Sequence, residues 1–433
     1  MPPRARGRTG FPVFRATASD QPRGAERDRF SEARLALSLA FTPSQPVVDR
    51  ATFAGRSEAL TTLIRSIEDQ RLHVVVYGER GIGKTSLIHI LSEAAREARY
   101  LVSYISCGAN SAFDEVIRVV TADIPLVFHK DYGPSAPEAE RGDTFADLLG
   151  PGPVSVRQAT DALAKVIGTR LLIVLDEFDR VESSDFRLSV AEFIKGLSDR
   201  AARVQLMIAG VARNLTELVD HAPSIQRSIL ALPVFRMADS EVRELIQIGE
   251  ARSDLQFSEA ARNALLAAAN GLPYMASLLS HHAGLEAINK ERLNVTKADV
   301  DAAIAKALVE QRRRIPRDVL ARIGTCADDG AGAVLGALAN LAQHAGGAFD
   351  IDELASAWPG RSEGVARTRS LVERLVADNV LLQGARDDGA MTYRFADDGM
   401  PIYLWLLSAQ VRLRDDRTAP PRSVAARGMS SAG

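Results

Sequence analysis

Residues Gly78 to Thr85 read Gly-Glu-Arg-Gly-Ile-Gly-Lys-Thr, a spacing in which each residue type has a use in holding a polyphosphate. Gly78, Gly81 and Gly83 let the backbone curl so that its N–H groups face a triphosphate. Lys84 is placed to reach the β- and γ-phosphates, and the Thr85 hydroxyl to ligate Mg2+. Glu79, Arg80 and Ile82 fill the intervening positions, and Ser86 continues the same phosphate-binding stretch. A glycine-rich turn that bound nothing would have no use for Lys-Thr at that offset. A second pair of residues speaks to cleavage. Asp176 and Glu177 follow the apolar run Leu171–Leu175, so both carboxylates stand at a strand tip. Asp176 suits the metal's outer shell and Glu177 suits a general base that polarises water. An acidic pair after a strand is otherwise an ordinary helix N-cap. Its position about one αβα unit after the P-loop favours the catalytic use.

These loops need rigid elements beneath them. Val74, Val75, Val76 and Tyr77 lead into the glycine-rich turn, and an apolar-periodic segment starting Ser86-Leu87-Ile88 leads out. Strands are expected at Val74–Tyr77, Leu101–Ser106, Leu171–Leu175, Gln205–Ala209 and Ile229–Pro233, with helical patterns between them. Leu171–Leu175 is continuously apolar, as a strand buried on both faces should be. The alternation predicts an α/β fold with a five-stranded parallel sheet covered on both sides. The stretch from Lys130 to Pro153 reads as a long surface loop because glycine and proline interrupt it repeatedly. From Asp239 to about Ile323 the pattern is helical, with Asp239 and Thr296 as N-caps and Ala302, Ile304, Ala305 and Leu308 as one apolar face.

The bulk properties suit an intracellular enzyme. A chain of 433 residues has a length prior of about three domains. Its net charge of −2 predicts no long-range attraction to nucleic acid or to an anionic membrane. Two cysteines, Cys107 and Cys326, are too few for a disulfide framework and suit reduced thiols in a cytoplasmic setting. No apolar run approaches the ~20 residues of a membrane span, and the N-terminus has no apolar signal core. Within residues 1–30, seven arginines meet three acids, a basic composition that weakly mimics a transit peptide and better fits a disordered arm. The expected divisions are a disordered basic arm over 1–45 that carries a short helical pattern near Ala33 to Leu39, a P-loop core over 46–237, a helical lid over 238–329, a C-terminal unit over 330–410 and a disordered tail over 411–433.

The P-loop, the Asp176-Glu177 pair, the five-strand pattern, the helical segment and Phe53-Ala54-Gly55-Arg56-Ser57-Glu58 ahead of the P-loop together resemble the AAA+/STAND P-loop ATPases. Within them the likeness is to the origin-recognition-complex-like and archaeal-type branch, over about residues 50 to 407. The resemblance implies a five-stranded parallel P-loop NTPase core with a helical lid and a C-terminal winged helix-turn-helix domain. It implies ATP rather than GTP, with Phe53 to Arg56 near the adenine. It also places an arginine finger at Arg227, in the stretch leading into the fifth strand, where a guanidinium from one subunit would reach a neighbour's γ-phosphate. The sensor position after the fourth strand falls on Arg213 or Asn214. The usual lid arginine is absent near Gly271-Leu272-Pro273-Tyr274. That Gly-Leu-Pro instead resembles the STAND lid motif, in which Pro273 packs by the base; a proline opening a helix gives the same spelling.

The C-terminal unit shows helical periodicity over Ala333–Ala342, Ile351–Ala357 and Glu363–Val376. A hairpin pattern follows, with Arg386-Asp387-Asp388-Gly389 as its turn. On the third helix Val365, Leu371, Val372, Leu375 and Val376 are expected to face the core, leaving Arg367 and Arg374 outward as a DNA reader would use them. Over 331–410, however, six arginines meet ten acids, and Asp387 and Asp388 at the wing tip oppose a phosphate backbone. The balance favours a protein-contacting or nucleotide-locking winged helix over a DNA-binding one. The resulting expectation is an ATP-hydrolysing switch working as a homo-oligomer or with a partner protein, with DNA binding possible but weak. An origin-recognition-like DNA-binding ATPase is the alternative, and a nucleotide-holding scaffold with an idle Glu177 is a third.

Overall fold

The computed structural model describes residues 29–43, 45–212, 215, 223–326, 336–339, 341, 348–357, 364–385, 390–397 and 399–415. Five parallel strands form its central sheet: β1 (His73–Gly78), β2 (Leu101–Ser106), β3 (Leu171–Asp176), β4 (Val204–Val211) and β5 (Ile229–Val234), in the spatial order β2-β3-β4-β1-β5. All five lie where the apolar runs predicted them. The register sets Val75 of β1 beside Ile208 of β4 and Ala231 of β5. Because strand side chains alternate, each strand feeds two cores. Val74, Val76, Leu172, Val174, Met207 and Ala209 face one layer, while Val75, Leu171, Ile173, Leu175, Leu206 and Ile208 face the other.

The helices follow the same logic. After α1 (Arg29–Ala40), α2 (Ser57–Glu68) and α3 (Lys84–Glu97) cover the first face of the sheet. Helices α4 (Phe113–Ala122), α6 (Val156–Leu163) and α7 (Ser184–Asp199) bury the second, and the short α5 (Pro137–Glu140) lies between them in sequence. The lid comprises α8 (Asp239–Ser253), α9 (Glu259–Ala269), α10 (Pro273–Asn289) and α11 (Lys297–Arg312), followed by α12 (Arg317–Cys326). Two-residue strands β6 (Gln256–Phe257) and β7 (Asn294–Val295) pin α8–α9 to α10–α11. Beyond them stand β8 (Ala348–Phe349), α13 (Ile351–Ala357), α14 (Gly364–Ala377), β9 (Leu381–Ala385), β10 (Met391–Phe395) and α15 (Met400–Asp415). The last three strands pair antiparallel in the order β8-β10-β9, so the predicted hairpin is present.

Several expectations need correction. The arm does not extend to residue 45: Arg29–Ala40 is a helix whose Leu37 is fully buried, and Phe41 just beyond it is 1% exposed. Both side chains sit on helical glycines of the lid. A Cβ at Gly249 would lie 1.9 Å from the Phe41 ring, and one at Gly284 would lie 2.8 Å from Leu37. The supposed loop over 130–153 is anchored inward, since Phe145 is fully buried and Pro125 bridges Thr144. Helix α8 is capped one residue earlier than expected, at Ala238, whose N–H donates to Glu241 at 2.8 Å. Thr296 does cap α11, its N–H and hydroxyl both donating to Asp299. The buried face of α11 is Val300, Ala303, Ile304, Ala307 and Leu308, a rotation from the expected set in which Ala305 turns outward. In α14 Leu371, Val372 and Leu375 are buried as predicted, and Val376 is half-buried against the same core. The final helix runs on to Asp415, past the expected boundary at 410, and its Trp405 is buried. The side chains of Val365 and Arg367, residues Arg213 and Asn214, the turn 386–389 and both basic ends lie outside the described residues.

Candidate nucleotide-binding and hydrolysis site

The glycine-rich turn crosses from β1 to α3 at the carboxyl ends of the parallel strands, where open α/β sheets take their ligands. Gly81 and Gly83 adopt φ of +75° and +93°, backbone that a side chain would strain. Gly78 serves a different need: a Cβ there would lie 2.4 Å from the Val234 carbonyl of β5. Lys84 opens α3 and is only 8% exposed. Its Nζ donates to the Gly78 and Glu79 carbonyls at 3.0 and 2.9 Å. Burial brings its pKa down to about 8, against the opposing pull of Asp179, Asp176 and Glu79. Thr85 and Ser86 follow on the first turn, and the Ser86 hydroxyl accepts the Val47 N–H at 3.0 Å, tying the segment ahead of α2 to the P-loop helix.

Two strands over, Asp176 ends β3 and is 2% exposed. It accepts the Tyr104 hydroxyl at 2.7 Å and the Glu177 N–H at 2.8 Å. Burial and that hydrogen bond together drive the Tyr104 phenol pKa upward, so Tyr104 remains a donor. Glu177 takes a left-handed backbone, φ 54° and ψ 32°, costly for a residue with a Cβ and of the kind that collects at functional sites. Its carboxylate receives the Ser106 hydroxyl at 2.8 Å and Arg180 at 2.9 Å. The Ser106 bond first, and Arg180 next, outweigh burial and hold its pKa below the usual carboxylate value. Asp179 accepts the Val211 N–H at 2.8 Å and so ties the end of β3 to the end of β4.

The lid meets the P-loop directly. Tyr274 donates its N–H to the Gly81 carbonyl at 3.4 Å, and Pro273 stands 3.5 Å from where a Gly83 Cβ would be. Gly-Leu-Pro therefore opens α10 and touches the phosphate loop at once. Burial pushes the Tyr274 phenol pKa up, while Arg314 and Arg80 are near enough to oppose it. Phe53 is half-buried, and Arg56 donates to the carbonyls of Phe235 and Ile82 while Glu241 accepts its N–H. Burial lowers the Arg56 pKa, with Glu241 opposing. Arg227 lies on the turn Pro223–Ser228 ahead of β5, exposed and without an ion pair among the described residues. The structure thus gathers the P-loop, Asp176, Glu177 and Pro273, and leaves Arg227 on the outer surface. Tyr104, Ser106, Asp179 and Arg180 were not singled out from the sequence. Asp179 and Arg180 could have been, since they continue Asp176-Glu177; Tyr104 and Ser106 come from β2, and only strand order brings them in.

Residues 52–208 match the family model of the AAA ATPase domain. No curated protein matches the chain. Among solved structures, the Walker-type ATPase PABY2304 of Pyrococcus abyssi is similar at 18% identity, with 84% of this chain and 99% of that chain covered and a TM-score of 0.47. Cdc6p from Pyrobaculum aerophilum matches at 12% identity over 87% and 98% of the two chains, TM-score 0.45. The Orc1 protein of Aeropyrum pernix, solved in complex with DNA, matches at 16% over 88% and 97%, TM-score 0.44. Sheet order and glycine-rich loop define a P-loop NTPase core, and the part of it over residues 52–208 is similar to the AAA ATPase domain. No helix among the described residues is long and apolar enough to cross a membrane.

Proposed function

We propose that the chain is an ATP-hydrolysing switch of the AAA+/STAND type, in which the nucleotide at the P-loop sets the posture of the lid and of a winged-helix-like C-terminal unit. The observation that carries this reading is the lid contact: Tyr274 and Pro273 rest on Gly81 and Gly83, the residues whose backbone would face a triphosphate. The residues present fit MgATP. The buried Lys84 ammonium donates to the Gly78 and Glu79 main-chain carbonyls, and a buried Asp176 stands beside the P-loop helix. Thr85 and Asp176 would hold Mg2+, which neutralises developing phosphate charge.

Lys84 binds the β- and γ-phosphates, and Phe53 to Arg56 with Pro273 border the base. Glu177 accepts a proton from the attacking water. Its lowered pKa keeps it ionised at neutral pH and makes it a weak base, which fits slow turnover. Arg227, exposed on the turn ahead of β5, acts in this reading as the arginine finger on a neighbouring subunit of a homo-oligomer; its exposure is what supports that role. Cytoplasmic localisation belongs to the same proposal. The test is a pair of variants: Glu177→Gln should bind ATP and lose turnover, and Lys84→Ala should lose binding. Undiminished hydrolysis by Glu177→Gln would leave the chain with a different base or with none, as a scaffold would have.

A second reading, a DNA-binding ATPase, has one observation in its favour. Arg312, Arg313, Arg314 and Arg317 are exposed at the end of the lid and make no ion pair among the described residues. Retention on duplex DNA that survives physiological salt, and that falls when these four arginines become alanine, would favour it.

A further inference from the structure

We propose that Arg236 is a positioning residue that ties the P-loop to the C-terminal helix α15, so that nucleotide at the P-loop changes the surroundings of Trp405. The proposal rests on the reading that this P-loop takes nucleotide. Arg236 stands two residues beyond β5, in the link to α8. Its Nε donates to Glu79 of the P-loop at 2.9 Å, both side chains being only about one-fifth exposed. The Arg236 guanidinium carbon also lies over the Trp405 indole, 5.2 Å from the ring centroid, inside the ~6 Å reach of a cation–π contact. Trp405 is 2% exposed and donates its indole N–H to the Ala268 carbonyl of α9 at 3.0 Å. Gly271 completes the junction. Its carbonyl accepts the Met237 N–H at 2.8 Å, and a Cβ there would lie 2.9 Å from the Arg236 Cβ.

One side chain therefore touches the phosphate loop, the turn that opens α10 and the helix that ends the described chain. The chemistry calls for arginine: its edge donates to a carboxylate while its flat face stacks on an aromatic, which an ammonium cannot do in one pose. Glu79 occupies a P-loop position between Gly78 and Gly81, so a triphosphate that reshapes the loop moves the Glu79 carboxylate. Arg236 then slides on the indole or leaves it.

The test uses the full chain with Trp358, its other tryptophan, changed to Phe, so that emission reports Trp405 alone. ADP and a non-hydrolysable ATP analogue, each with Mg2+, are titrated while heat and emission are recorded in parallel. Emission should change along the same curve as the heat. Arg236→Ala should still bind nucleotide but lose most of the emission change, Glu79→Ala should lose it similarly, and the double variant should lose no more than either. Arg236→Lys should recover part of the change, a graded rescue that a purely structural brace would not show and a variant that serves if alanine prevents folding. Heat with an unchanged emission response in Arg236→Ala would overturn the coupling while leaving the P-loop reading intact. Additive losses in the double variant would overturn it too. Absence of heat with the Arg236-containing protein would overturn the P-loop reading itself, and the proposal with it.

Discussion

At the residue scale the most telling side chain is Lys84. An ammonium 8% exposed, with its pKa brought down to about 8 by burial, is poorly solvated until an anion meets it. Its ordinary value is about 10.4, so between roughly pH 8 and 10 the unfolded chain holds a proton that the folded, nucleotide-free protein does not. Nucleotide-free protein therefore gains stability from this group as pH rises through that window. A bound triphosphate favours the charged form and reverses the shift. Binding should accordingly take up close to a full proton at about pH 9 and little at pH 6.5, measured as the dependence of binding heat on the buffer's ionisation enthalpy. Equal proton uptake at both values would separate Lys84 from the phosphates. Cys107 stays out of this chemistry, because burial, followed by the nearby Asp176 and Glu177, pushes its thiol up to about 12.

At the scale of elements, β1 carries an acid-sensitive anchor. His73 is 2% exposed; its Nδ1 accepts the Leu206 N–H at 2.9 Å and its Nε2 faces the Ser198 hydroxyl at 3.2 Å, which fixes the neutral ring. Burial lowers its pKa to about 4, so as pH falls from about 6.5 the unfolded state takes the proton first. Stability fully present above that value should drop by roughly 3 kcal/mol by pH 4, and His73→Gln should flatten this part of a denaturation-midpoint series. The docking of α1 offers a test whose sign is informative. Alanine is a better helix former than glycine by about 1 kcal/mol, yet Gly249→Ala should destabilise because the Phe41 ring fills the space. Phe41→Ala should cost about 3–5 kcal/mol in urea unfolding. A stabilised Gly249→Ala protein would mean that the helix leaves its seat.

The same elements show what the sequence could reveal. The five strands were legible because each is a short apolar run between polar loops, and the P-loop was legible because its residues are local in the chain. Buried Phe145, the partners of Asp176 and Glu177 drawn from β2, and the seating of α1 were not, since each depends on a neighbour distant in sequence. Gly249 and Gly284 read as weak points in helices until their partners, Phe41 and Leu37, are known. The rotation of the α11 face has the same origin: both sides of that helix offer alanines, and packing rather than pattern chooses among them.

At the scale of the whole molecule, two predictions separate assembly from nucleic-acid binding. If Arg227 serves a neighbour, the rate per subunit should climb with protein concentration, and Arg227→Ala should flatten the climb without weakening ATP binding. Mixing it with Glu177→Gln subunits should restore activity at mixed interfaces, and a concentration-independent rate in a monomer would remove this role. For DNA, the basic arm must be removed at residue 28 rather than 45, because α1 is part of the fold. That deletion should abolish most low-salt binding to duplex DNA, seen by fluorescence anisotropy, and leave hydrolysis intact; binding that persists would shift attention to Arg312–Arg317. The seat of α1 also sets a timetable for synthesis. Leu37 leaves the ribosome roughly 250 residues before Gly284, which at about 5–20 residues per second is a wait of tens of seconds with its apolar face uncovered. The ATPase core can close during that interval, but the lid cannot reach its final form until α1 comes back to it.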